Sequence, residues 1–392
     1  MDVRHDKPVN VEVLGISPHN KGALLMLEAV RERFQQELPN ARLAVPFTWP
    51  ADQRLRLGLH CTYPRERGRI DTARLSELLP LRLRKGVGLL SPSDVDVVLD
   101  ASGFAYGDYW GLQKLQRRLV RTARHWKSGR NKTLILLPQA LGPFDGPGMA
   151  AAWRVALRSA DLVYVRDRGS MAYVNAAGAP ADSVRLSPDF TNLLHPALPE
   201  RLAAVRGAVL LIPNEKMVAG QDAARRAVYL DFLRCCAEHF LATGRQVLLL
   251  VHEGKGDRQL AAELNAMLPR PVEVLDEPSP LVTKAIIGAA HATVSSRFHG
   301  LISALSAAVP SAACGWTHKY GELMSDYGCA DLNIDLSDRV SWTHKLDLLL
   351  QSAQDTAMRE GLRRAAQEQK QRSEEMWASV FELLRRRYPA AA

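Results

Sequence analysis

Five short, largely apolar runs separated by helical patterns leave this chain few possible architectures. They are Val9–Ser17, Asp94–Ala101, Lys132–Gln139, Ala208–Ile212 and Gln246–His252. A near-continuous apolar run such as DVDVVLDA suits a strand inside a parallel sheet with helices on both faces. Each run empties into a loop and then a helix: Pro18-His19-Asn20-Lys21-Gly22 leads into Ala23–Leu38, and Glu253-Gly254-Lys255-Gly256-Asp257 into Arg258–Leu268. Strands alternating with helices in both halves predict an α/β protein of two Rossmann-like domains facing a cleft. The pattern lapses near Leu193–Arg201, where His195-Pro196 and Pro199-Glu200 read as a linker. Domains over 1–198 and 199–392 follow, with the helical tail Trp342–Tyr388 packing back on the first. Trp49 to about Leu90 reads as irregular, apart from a helix near Thr72–Leu79.

At 392 residues the chain exceeds one ordinary core. Its 47% apolar and 24% charged content is that of a globular protein. No apolar run reaches a membrane-spanning length, and the start, MDVRHDKPVN, has no apolar signal-peptide segment, so a cytoplasmic location is expected. Cys61, Cys235, Cys236, Cys314 and Cys329 show no CxxC spacing, which predicts buried reduced thiols and no metal site. The formal charge of +9 suits an anionic partner. No RNP-like, zinc-finger or helix-turn-helix pattern supports nucleic acid. The segment Leu112–Trp126 places Leu112, Leu115, Leu119, Ala123 and Trp126 on one side and Arg117, Arg118, Arg121 and Arg124 on the other. It reads either as an ordinary surface helix or as a contact with anionic lipid at the inner face of the membrane, beside a lipid-linked substrate.

The chemistry concentrates in Ser295–Tyr320. A strand over Thr293–Phe298 runs into Arg297-Phe298-His299-Gly300, an apolar helix follows, and Pro310 stops it. A short strand, Ser311–Trp316, then leads to a second helix near Thr317-His318-Lys319-Tyr320. Arg297, His299, His318 and Lys319 thus sit at helix N-termini, where free N–H groups and the helix dipole already favour an anion. This predicts a pocket for a multiply charged phosphate compound. In the first half, Asp100-Ala101-Ser102-Gly103 and Phe104–Gly111 interleave glycines, aromatics and a carboxylate, which suits a sugar-binding loop as well as a plain turn. Glu253–Asp257 is too loose for a Walker loop.

Asn20-Lys21-Gly22-Ala23, Ser102–Gly107, Pro138–Phe144, Pro188–Thr191 and above all Ser296-Arg297-Phe298-His299-Gly300 with Trp316-Thr317-His318-Lys319-Tyr320 resemble the polysaccharide pyruvyl transferase family. The resemblance runs from about residue 10 to 330. It implies a GT-B-like fold and transfer of the enolpyruvyl group of phosphoenolpyruvate onto two hydroxyls of a sugar, giving a cyclic ketal and phosphate. No further cofactor is implied. Arg297 and His299 match the family's phosphoenolpyruvate-contacting motif, and Lys319 its catalytic or phosphate-binding lysine. Gly300, His318 and Lys216 join that side; Lys216 stands where members often have Arg, and it lacks arginine's forked contact. His299 is the expected general acid. Asn20, Asp100, Gly103, Tyr106, Asp108 and Gln139 are expected to hold the acceptor, with Asp100, Asp108 or Asp189 as the base. A nucleotide-sugar glycosyltransferase is the competing reading, with Glu253 or Glu277 on the ribose. A non-enzymatic basic scaffold is the other.

Overall fold

The computed structural model describes residues 8–63, 73–127, 131–180, 183–315, 317 and 319–389. The chain divides into two compact units. One holds the residues up to Pro18, Met26–Phe190 and those from Arg372 on; the other holds His19–Leu25 and Thr191–Gln371.

Among the described residues, the first unit is built on one sheet of parallel strands. In chain order these are β1 (Asn10–Leu14), β2 (Arg42–Pro46), β3 (His60–Thr62), β4 (Leu89–Leu90), β5 (Val97–Asp100), β6 (Phe104–Tyr106), β7 (Thr133–Leu141), β8 (Leu162–Val165) and β9 (Arg185–Leu186). Their spatial order is β4-β3-β2-β1-β5-β7-β8-β9, with β6 paired to β7 off this path. Strand order reverses beside β1, the topology of a doubly wound sheet. β1, β5 and β7 are buried throughout, as their apolar runs require. Trp126, Trp153 and Phe144 fill the core on the side of the Met149–Ser159 helix. The end of the long helix Thr356–Arg387 also belongs to this unit: Phe381 meets Phe34 edge-on at 5.1 Å, and Trp377 meets Phe190 at 5.6 Å.

The second unit carries β10 (Val209–Ile212), β11 (Val247–Leu250), β12 (Glu273–Leu275), β13 (Ala292–Ser295) and β14 (Ser311–Ala313), in the order β12-β11-β10-β13-β14. All pairs are parallel, and Ile212 lies opposite Ser295. The loops after β10 and β13 therefore leave the sheet at one level, across the point where strand order reverses. Tyr229, Phe232, Phe240 and Trp342 pack one face; Ile286, Ile287 and Ala304 pack the other.

Several expectations need correction. Trp49–Leu90 is less irregular than it reads: it contains the helix Ala51–Arg56, β3, β4, a 3-10 stretch over Ala73–Leu78 and the helix Leu81–Gly86. Strands of two or three residues are too short to show a period. Leu112–Trp126 is helical, but α-helix only over Leu112–Leu115, and π-helical over Gln116–Val120 and Thr122–Lys127. Its Leu115, Leu119, Ala123 and Trp126 are buried in the core, which leaves no apolar face there for lipid. The helical tail is two helices, Ser341–Gln354 and Thr356–Arg387, because Asp355 breaks the first and its carboxylate accepts from Met358 N (2.9 Å) to cap the second. The helix expected over Arg258–Leu268 begins at Gly254, which turns the Glu253–Asp257 loop into a helical first turn. Among the described residues no helix is long and apolar enough to cross a membrane, and no metal-binding cluster occurs.

Candidate active site

The switch point of the second sheet opens into a cavity of about 500 Å³. Four loops line it: His19, Asn20 and Gly22; Asn214, Glu215 and Lys216 after β10; His252, Glu253 and Gly254 after β11; and Arg297, Phe298 and His299 after β13. Lys319 and Tyr320 complete it from the helix Lys319–Asp326. Ligands of open parallel sheets bind at such a place, outside the carboxyl ends of strands that wind in opposite directions. The helix Phe298–Ser306 starts in the cavity with Arg297 as its N-cap, and Ser295 Oγ accepts from Arg297 N at 3.1 Å. Asn214 anchors the neighbouring loop, donating to Ser296 O (2.8 Å) and accepting from Lys216 N (2.9 Å); Tyr320 OH also donates to Ser296 O (2.9 Å).

The Arg297 guanidinium is held by two carboxylates: Nε and Nη2 donate to the two oxygens of Asp257 at 3.0 and 2.5 Å, and Nη1 pairs with Glu253. Burial works against the arginine's charge, but Asp257 and then Glu253 outweigh it and hold Arg297 above its ordinary value. Burial pushes the Asp257 carboxyl up, while Arg297 and the amides of Glu215 and Glu253 (2.9 Å each) oppose that shift. Lys216, Lys319 and the imidazoles of His19, His252 and His299 also line the cavity. Lys319 Nζ stands 5.1 Å from the Phe298 ring centroid and 5.8 Å from that of Tyr320. Gly300, one position further into the helix, backs onto Ser295 Oγ, which would lie 2.7 Å from an added Cβ. His318 and Trp316 lie outside the described residues.

Three features of this cavity escape the sequence. Gly22 must be glycine because a Cβ there would lie 2.3 Å from His299 Nδ1. His252 is buried, with neither ring nitrogen hydrogen-bonded; burial, then Arg297, His299 and Lys21, holds it well below the usual histidine range, and it is neutral. Its one legible signal is its place just after an apolar strand. Glu215 brings a carboxylate into the lining that Asp100, Asp108 and Asp189 do not.

Asn20 belongs with this cavity rather than with the first unit's groups: it caps its helix by accepting from Ala23 N (2.8 Å) and donates to Glu253. The other expected acceptor residues lie in the first unit. Asp100 is wholly buried and accepts from Tyr106 OH and Ser102 N (3.0 Å). Tyr106 is buried too, its hydroxyl pushed well above its usual value by burial and then by Asp100, so its ring is not available for stacking. Tyr109 and Trp110 are the aromatics that this loop exposes. Asp108 ties down a turn, accepting from Asp145 N (2.9 Å) and Gly146 N (3.0 Å). Gln139 is buried, with Nε2 donating to Leu137 O at 3.3 Å. Gly103 approaches Arg166, which pairs with Asp189 at 3.4 Å, and Arg118 reaches inward to Ser102 Oγ at 2.7 Å. Arg118 and Arg166 join this cluster only through the fold. Of the carboxylates the competing reading needs, Glu253 holds Arg297 and Asn20, and Glu277 is clamped by Arg201 at 2.6 and 2.9 Å.

A family model, Polysaccharide pyruvyl transferase, matches residues 20–318, most of the chain and the cavity residues from Asn20 to His299. The chain belongs to the polysaccharide pyruvyl transferase family. It is accordingly a transferase. Its fold is that of GT-B glycosyltransferases and epimerases. Anabaena HepE in complex with UDP and glucose is similar at a TM-score of 0.57 and 14% identity, covering 96% of this chain and 99% of that one. Staphylococcus aureus MnaA with UDP gives 0.57 at 10% identity, covering 96% and 97%. A putative UDP-N-acetylglucosamine 2-epimerase from Listeria monocytogenes gives 0.57 at 11%, covering 97% and 98%. At these identities the likeness is one of fold.

Proposed function

We propose that this pyruvyl transferase takes phosphoenolpyruvate as donor and forms a cyclic pyruvate ketal on a sugar of a polysaccharide, such as an exopolysaccharide, or of its lipid-linked precursor. One observation carries the reading: Lys216, Arg297, His299 and Lys319 line a single cavity at a helix N-terminus. Lys216 and Lys319 neutralise phosphate and carboxylate, helped by the free N–H groups of the helix. Arg297 exchanges part of its hold on Glu253 for the donor carboxylate while Asp257 keeps it in place. His299 delivers a proton to the methylene carbon as a sugar oxygen bonds to the neighbouring carbon. That C–O bond gives a tetrahedral phosphate-bearing intermediate. The second hydroxyl then attacks the same carbon as the C–O bond to phosphate breaks. Of the two hydroxyl protons, one replaces that given by His299 and the other leaves with phosphate. Glu215 and Glu253 are the carboxylates lining the cavity that can accept them.

The reading is tested by phosphorus NMR of phosphoenolpyruvate with candidate acceptors, together with thermal shift against UDP- and GDP-sugars. Phosphoenolpyruvate at 100 times its Kd is expected to stabilise the protein by about 2.7 kcal/mol. Stabilisation by a nucleotide sugar alone would favour the glycosyltransferase reading instead.

Gly22→Ala is expected to lower turnover about 100-fold, because the new methyl must push the His299 ring aside by an ångström or so. The fold should not suffer, since alanine is the better helix former by about 1 kcal/mol. Unchanged turnover in this variant would show that the His299 position is not critical.

A further inference from the structure

Three aromatic rings meet at one loop of the first unit and stay partly in water. Tyr109 is 69% exposed, Trp110 is 37% exposed and Phe104 is half-buried. Each ring touches the other two. Phe104 stacks with Tyr109 at 6.2 Å, and Trp110 stands edge-on to Phe104 at 5.6 Å and to Tyr109 at 5.0 Å. Lys114 Nζ lies 3.8 Å from the Trp110 ring centroid. The rings therefore form one patch and fix one another's orientation.

The patch belongs to the ligand end of its sheet. β5 pairs with β7 over Thr133–Leu136, whereas β6 pairs further along β7, at Ala140 and Leu141. The chain thus runs on past the carboxyl end of β5, which adjoins β1 where strand order reverses. Backbone contacts hold the loop there. Gly107 has a φ of +146°, and a Cβ on it would lie 2.4 Å from Gly142 O, so only glycine lets the loop lie against the segment after β7. Asp108 N donates to Pro143 O (2.9 Å) and Trp110 N to Gly107 O (3.0 Å). Such a surface is ordered before anything binds.

We propose that Tyr109 and Trp110 form a stacking platform for a pyranose ring of the acceptor glycan. A pyranose has a face of C–H groups and a rim of hydroxyls, which suits a rigid aromatic surface with polar groups at its edge. The loop's one carboxylate, Asp108, is committed to the amides of Asp145 and Gly146. The platform therefore grips a ring without reacting with it, and that ring is a unit of the chain other than the one that receives pyruvate. The inference rests on the sugar acceptor of the proposed function and not on its donor.

Affinity electrophoresis of the full chain through gels holding dextran, galactan or mannan, without phosphoenolpyruvate, tests the platform apart from the chemistry. At least one polymer is expected to retard the protein. Tyr109→Ala and Trp110→Ala should each weaken that retention about ten-fold, as loss of an anchoring aromatic does, and Tyr109→Phe should preserve it. The melting temperature of Tyr109→Ala should not move, since the ring is mostly in solvent. In turnover, Tyr109→Ala should raise KM for a tetrasaccharide acceptor while leaving kcat, and KM for the matching methyl monosaccharide, unchanged. Retention with no phosphate release from phosphoenolpyruvate would remove the donor assignment and leave the platform standing. No retardation by any of the polymers, or retardation that Tyr109→Ala leaves intact, overturns the proposal. So does a dimer, or binding to phosphatidylglycerol vesicles, that Tyr109→Ala abolishes, since the rings then serve a second copy or a bilayer.

Discussion

Replacing Arg297 by alanine is expected to lower stability by about 3–5 kcal/mol and to cut phosphate release at least 100-fold or so. The stability loss comes from what remains behind. Asp257 is completely buried, and without the guanidinium its charge faces a low-dielectric interior with only backbone donors. Urea unfolding at pH 7 measures the loss. A dependence on pH follows. Burial already pushes the folded-state pKa of Asp257 up, and removing Arg297 removes the main opposing influence. A carboxyl whose folded pKa lies above its unfolded value binds protons more readily when folded, so it favours folding more at low pH and less as pH rises. The gap between variant and parent should therefore narrow from pH 7 to pH 5. Asp257→Asn added to Arg297→Ala should recover part of the loss at pH 7. A gap equal at both pH values would show that Asp257 is not the group left uncompensated.

The second large effect is at His299. His299→Ala and His299→Gln are both expected to lower kcat by about 10²–10⁴-fold, the ordinary worth of a positioned acid. Stability should scarcely move: the ring is half-buried, and the helix bond from Ser303 Oγ uses the His299 carbonyl, which both variants retain. Glutamine separates two roles, because it can hydrogen-bond a substrate oxygen but cannot deliver a proton to carbon. Recovery of a tenth or more of parental kcat in the glutamine variant would make His299 a positioning group and send the search for the acid elsewhere in the cavity. Single-turnover kinetics with phosphoenolpyruvate read this directly.

Much of the molecule could be read from residues alone because its strands are apolar on both faces. The consecutive apolar residues in DVDVVLDA and QVLLLVH suit strands buried on both faces, and each run ends at a polar loop, so sheet, alternation and loop ends follow together. Arg297, His299 and Lys319 stood out for the same reason: ionisable groups just past apolar strands and at helix starts have few other uses. Short elements did not show, since β3 and β4 contain too few residues for a period to repeat.

Sequence by itself determined the fold class, the family and the loops that carry charge, because these depend on neighbours a few positions apart. Tertiary structure alone decided what each charge is for. Asp257 is forty positions before Arg297, and the 3.0 Å contact between them makes the arginine half of a buried ion pair that no local pattern signals. Gly22 and His299 are further apart still, and only their close approach makes the glycine necessary. Tyr106 went to the core while Tyr109 and Trp110 went to solvent, and Leu119 was buried while Leu83 was left exposed. Alternation along the chain assigns side chains to faces. Which face meets water, another side chain or a ligand depends on what packs across from it, and those partners come from distant parts of the chain.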